Sequence, residues 1–92
     1  MIYFAEFECL LYNGHSLKDK RSIIKRLIHQ LQKHLNVAVA ELDYQDLWQR
    51  AKLGVVTVSN TKAHAEQVIQ EALRIVDSYP EIERTLTHVE RL

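Results

Sequence analysis

Residues 2–12, IYFAEFECLLY, alternate along their whole length. Tyr3, Ala5, Phe7, Cys9 and Leu11 fall on one side; Ile2, Phe4, Glu6, Glu8, Leu10 and Tyr12 fall on the other. A period of two with aromatic residues predicts a strand whose first side is buried. The second side is mixed, because Glu6 and Glu8 want water and Phe4, Leu10 and Tyr12 do not need it. Asn13-Gly14 then breaks the run. Ser16, followed three residues later by Asp19, makes a capping box that starts a helix near Leu17. In residues 17–36, LKDKRSIIKRLIHQLQKHLN, the apolar positions Leu17, Ile24, Leu27, Ile28, Leu31 and Leu35 recur at three- and four-residue steps, with one gap of seven. That spacing predicts an amphipathic helix ending near Asn36.

Working outward, Val37 to Leu42 and Ala51 to Ser59 are short and β-prone. Between them Asp43 to Arg50 is a polar connection, with room for a turn of helix, that carries Leu47 and Trp48. Ser59, Asn60 and Thr61 can each accept hydrogen bonds at a helix start. Ala65, Val68, Ile69, Ala72, Leu73 and Val76 then keep helical spacing, and Pro80 bars continuation beyond about Ser78. Ile82 to Leu92 is β-branched with alternating charge and predicts a last, more polar strand. The order is β-α-β-β-α-β. Right-handed crossovers put both helices on one face of a four-stranded antiparallel sheet, a ferredoxin-like α+β sandwich formed by residues 1–92 as one domain. The other sheet face is left for water, a partner or a ligand, and the fold alone assigns no function.

Composition narrows the function classes. The chain has 92 residues and twelve Lys and Arg against twelve Asp and Glu, which excludes a generally basic nucleic-acid coat protein. One cysteine, Cys9, excludes an internal disulfide and any zinc ribbon. The apolar start carries no basic segment and is interrupted by Glu6 and Glu8, so it is no secretory signal. A cytoplasmic protein is the expectation. No Walker loop, dinucleotide fingerprint or HExxH is present, and the five histidines lack metal-ligand spacing. No cofactor and no metal are expected. No catalytic residue is expected either, since the turn from Tyr12 to Arg21 has one glycine and the wrong spacing for an acylphosphatase-type loop.

The neutral total hides an asymmetry. Residues 17–36 carry Lys18, Lys20, Arg21, Lys25, Arg26 and Lys33 against Asp19 alone, half of all the bases in the chain. Lys18, Arg21, Lys25 and His29 step along one stripe of the helix. Such a stripe can follow a phosphate backbone. A solvated helix face is the plainer alternative, but a solvated face normally intersperses both signs for i,i+4 pairs. Asn13, Gly14, His15 and Ser16 lead into unpaired N–H groups at the helix start, an arrangement that attracts anions; simple capping by Ser16 explains it equally. Phe4, Leu10 and Tyr12 on the open sheet face suit a homodimer or other protein interface. Trp48 reads first as a plug at the core edge and second as an anchor for a partner. Base readout by aromatics on the central strands does not fit, because Ala51 to Ser59 has none and Glu6 and Glu8 repel phosphate.

Three stretches taken together, Ser16-Leu17-Lys18-Asp19-Lys20-Arg21, Asn36-Val37-Ala38-Val39-Ala40-Glu41 and Asp46-Leu47-Trp48-Gln49-Arg50-Ala51 with Leu53-Gly54-Val55 and Val58-Ser59-Asn60, resemble the YlxP-like family of short bacterial proteins of unknown function. The resemblance spans nearly the whole chain. It implies a ferredoxin-like fold and a bacterial cytoplasmic protein whose genes often lie among translation-factor and ribosome-maturation genes. It supplies no activity, substrate or catalytic residue. The leading expectation is therefore a non-enzymatic accessory protein that meets RNA or the ribosome through Lys18, Lys20, Arg21, Lys25 and Arg26, with Arg50 a weaker candidate. A homodimeric interaction module using Phe4, Leu10, Tyr12 and Trp48 is second, and a small phosphate-handling enzyme third.

Overall fold

The computed structural model describes residues 1–12 and 15–92. The elements follow the order expected: β1 (Ile2–Leu11), α1 (Leu17–His34), β2 (Ala38–Asp43), β3 (Arg50–Val58), α2 (Lys62–Asp77) and β4 (Ile82–Arg91). The sheet runs β2-β3-β1-β4, with every neighbouring pair antiparallel. Each helix therefore crosses over one intervening strand, and both pack on the same sheet face.

Local chemistry explains the boundaries. Ser16 caps α1, its hydroxyl accepting from the Asp19 N–H at 3.1 Å. The Asp19 carboxylate reaches one residue further back and accepts from the His15 N–H at 3.1 Å. Of the three candidate caps before α2, Thr61 takes the role, accepting from the His64 N–H at 3.2 Å. The connection between β2 and β3 makes tight turns and no helix.

The alternation in β1 holds throughout. Tyr3, Ala5, Phe7, Cys9 and Leu11 are buried and face the helices. There they meet Ala51, Leu53 and Val55 of β3, Ile24, Leu27 and Leu31 of α1, and Ala65, Ile69, Ala72, Leu73 and Val76 of α2. Cys9 is inaccessible, and burial pushes its thiol up to about 12. On the open face, Gly54 lets two neighbours fold over the central strand. A Cβ there would lie 2.9 Å from Leu42 Cδ1 and 3.1 Å from Phe4 Cε1.

Candidate functional site

The end of the sandwich where β1 stops also holds the start of α1, the β2–β3 turn and the α2–β4 turn. Lys20 joins two of these. Its side chain is only 1% exposed; the ammonium lies 2.9 Å from Glu41 Oε2 of β2 and donates to the Tyr44 carbonyl at 2.6 Å. Glu41 Oε2 is itself shut off from solvent and makes no well-directed hydrogen bond, so its contact with Lys20 is ionic in character. The Leu47 N–H donates to the same Tyr44 carbonyl at 3.0 Å. Tyr44 has φ 65°, the left-handed region that a tyrosine seldom adopts. Two donors on its carbonyl, and an Asp43 side chain that accepts from its N–H at 2.7 Å, hold it there. Lys20 is therefore a clamp for the β2–β3 turn. It is withdrawn from the phosphate-contacting set, because a side chain buried against a carboxylate cannot reach a phosphate.

Arg50 is also engaged. Its guanidinium pairs with Glu8 and lies 4.0 Å from the centroid of the Tyr44 ring. These contacts stabilise the cation and raise its pKa; the Glu8 hydrogen bond is the larger cause. Glu6 faces Lys52 at 4.0 Å. The two β1 carboxylates thus find cationic partners on β3. They form a charged band across the open face that separates Phe4 from Leu10 and Tyr12, so the expected single apolar patch is two patches. Phe4 belongs with Leu42, Ala38, Ala40 and Val56 around Gly54, lining a shallow apolar trough of about 350 Å³. Tyr12, half exposed, donates through its hydroxyl to Glu83 at 2.8 Å. Trp48 is 36% exposed and lies outside the core cluster, so the core-plug expectation for it is corrected.

The bases of α1 are distributed unevenly in their partners. Seven of the twelve Lys and Arg side chains of the chain lie in ion pairs among the described residues: Lys20, Arg26, Arg50, Lys52, Lys62, Arg74 and Arg84. The five without a carboxylate in reach are Lys18, Arg21, Lys25, Lys33 and Arg91, and four of these are exposed on α1. Arg26, at the margin of this face, donates to Glu81 at 2.7 Å and sits 5.8 Å over the Tyr79 ring. The bond from Arg26 holds the Glu81 carboxyl below its ordinary range. Between α1 and Tyr79 lies a groove of about 450 Å³ lined by Ser22, Lys25, Arg26, His29, Gln30 and Tyr79. No expectation from the sequence named Tyr79; its place directly before Pro80, at the end of a helix, marks a turn and carries no hint of what the turn approaches.

The anion reading of the helix start involves Asn13 and Gly14, which lie outside the described residues. Of the donors at this helix start, the His15 and Asp19 N–H groups are taken up by the Asp19 carboxylate and the Ser16 hydroxyl. Among the described residues, no three or more His, Cys, Asp or Glu side chains converge as a metal site would require. No helix is long and apolar enough to cross a membrane.

The family model described as "Protein of unknown function (DUF503)" matches residues 2–89. The chain belongs to this family. It is 46% identical over 90 residues to the uncharacterized protein YlxP of Bacillus subtilis (strain 168), covering 98% of each chain. The YlxP-like resemblance read from the three sequence stretches is thereby shown. Among solved structures, the chain is similar to a de novo designed protein with a ferredoxin fold, at TM-score 0.61 and 18% identity, covering 100% of this chain and 87% of that one. A second designed protein, Ferredog-Diesel, aligns at TM-score 0.49 and 15% identity over 99% of this chain and 85% of that one. The first of these likenesses shows the fold; neither designed scaffold assigns an activity.

Proposed function

We propose that this protein is a non-enzymatic accessory protein that binds RNA, free or within the ribosome, through the exposed face of α1. The observation that carries this is the concentration of unpaired bases there. Elsewhere among the described residues every Lys and Arg but Arg91 is matched to a carboxylate, whereas Lys18, Arg21, Lys25 and Lys33 on α1 are not. Lys33 near the helix C-terminus is favoured by the helix dipole, but Lys18 near the N-terminus opposes it. A polyanion laid along the helix would relieve that cost. Three or four phosphate contacts give a slope of log affinity against log salt of about −2 to −3. The contacts position RNA without specifying its sequence.

The test is binding to bacterial RNA and ribosomal subunits across a salt series, beside a variant with Lys18→Glu, Arg21→Glu and Lys25→Glu. Wild-type binding that weakens steeply with salt and vanishes in the variant is the expected result. No binding by either protein at low salt refutes it.

One observation favours a second reading, a homodimer. β2 is an edge strand without Pro or Lys, flanked by the apolar trough around Gly54. Two copies paired antiparallel about Ala40 set Ala38 against Leu42 and Val39 against Glu41, with no like charges opposed. A monomeric mass by light scattering at micromolar concentration rules this out.

A further inference from the structure

The groove between α1 and Tyr79 is more than a stretch of basic surface. It combines one aromatic ring, two cations and side chains able both to donate and to accept hydrogen bonds. Its volume, about 450 Å³, is in the range of small-ligand sites. The ring is held in place by its backbone: the Tyr79 N–H donates to Val76 at 3.2 Å and the Tyr79 carbonyl accepts from Ile82 at 3.1 Å. Part of the ring packs against the core, and part lines the groove. Arg26 covers it only loosely. At 5.8 Å the guanidinium is near the outer limit for cation–π contact, and its side chain is 56% exposed. To swing outward and admit a flat group against the ring it must release its 2.7 Å pair with Glu81, an exposed contact of the kind that contributes about 1 kcal/mol or less. Arg21 and Lys25, one helical turn apart and both unpaired, continue from the groove along α1.

We infer that this groove takes one unpaired base of a single-stranded RNA segment, stacked on Tyr79, with Lys25 and Arg21 on the flanking phosphates. The inference rests on the RNA reading above and narrows it to single strands. A base inside an A-form duplex is stacked on its neighbours and cannot enter a groove on a helix surface, whereas a splayed base can stack on an aromatic or guanidinium plane. Ser22 and Gln30 line the walls where the base edge would lie; the Gln30 amide oxygen lies 3.0 Å from His34 Nε2, which leaves its NH₂ as the donor toward the base. Arg26, once turned outward, closes over the exposed face of the base.

The experiment compares a short single-stranded RNA of mixed sequence with its blunt duplex at fixed salt, by fluorescence anisotropy. The proteins are wild type, Tyr79→Phe and Tyr79→Leu. Wild type binds the single strand more tightly than the duplex. Tyr79→Leu, which keeps the apolar volume but has no π face, loses about tenfold on the single strand and nothing on the duplex. Tyr79→Phe binds both as wild type does. Equal affinity for the two RNAs, or no loss in Tyr79→Leu, overturns the base site and leaves the phosphate reading standing. Equal loss on both RNAs in Tyr79→Leu also overturns it, since the ring then serves only the fold. If wild type binds neither RNA, both readings fall together.

Discussion

Removing Lys20 should damage this protein more than removing any other base of α1. The ammonium is within 2.9 Å of Glu41 and 2.6 Å of the Tyr44 carbonyl, and the side chain is 1% exposed. Lys20→Ala deletes the stem as well as the charge and leaves Glu41 Oε2, already out of water, with no cation. Breaking one side of such a pair costs about 3–5 kcal/mol. Lys20→Met keeps most of the stem. Glu41 is 20% exposed and can recruit water, and the Tyr44 carbonyl still accepts from Leu47, so about 2 kcal/mol is expected. Lys20→Met with Glu41→Leu removes both charges and should recover most of the loss. Urea unfolding reads all three. With a slope near 1–1.5 kcal/mol/M for a domain this small, Lys20→Ala lowers the midpoint by roughly 3 M. Hydrogen exchange should accelerate at the Leu47 amide, because the β2–β3 turn loses its clamp. A Lys20→Ala protein within about 0.5 kcal/mol of wild type would refute the reasoning. So would a Lys20–Glu41 coupling below that size in a double-mutant cycle, since the pair would then behave as an exposed one.

Three further outcomes follow from the same structure. Cys9, inaccessible and with its thiol pushed up to about 12, should resist a thiol-labelling reagent at pH 8 in the native state and react fully in urea; rapid native labelling contradicts the packing. Arg84 grips Asp77 through two bonds of 2.9 and 2.8 Å and holds the Asp77 carboxyl below its ordinary value of 3.8. The folded state thus binds that proton more weakly than the unfolded one, so the stabilisation is complete above about pH 5 and is lost as pH falls through the lowered folded value. With Asp77 half exposed the effect is on the order of 0.5 kcal/mol, and Asp77→Asn should flatten the acid limb of a stability–pH curve by that amount. Gly54→Val should cost about 1–3 kcal/mol by pushing Phe4 and Leu42 off the central strand, while Gly54→Ala costs less because the Leu42 tip can move; chemical denaturation separates the two.

The α1 face shows how much was legible and where reading stopped. The bases, their shortage of acidic neighbours and their stripe are properties of spacing along one helix, so they were visible in the sequence. The odd member was Lys20. The apolar stripe of α1 has a gap of seven between Leu17 and Ile24, and Lys20 fills it, four residues before Ile24 and on the buried side. That gap was the only trace of its burial. The sequence showed a missing apolar residue and a surplus cation, and could not join them without knowing that Glu41 and the Tyr44 carbonyl would be waiting on another element. Tyr79 left no trace at all.

The element order, the buried side of β1, the capping of α1 by Ser16 and the free thiol buried at Cys9 followed from the sequence by itself. Each is a local matter of period, capping chemistry or side-chain type, decided within a few residues of chain. Tertiary structure decided which charges are spent and which are free. Glu6 and Glu8 meet Lys52 and Arg50 only because β1 pairs with β3 in one register, and Arg26 meets Glu81 and Tyr79 only because the α2–β4 turn comes up beside α1. An ion pair depends on a distance of a few ångströms between residues far apart in sequence, about 40 in one case and 55 in another. Coulomb's law acts through space, and the spacing of residues along the chain does not contain that distance.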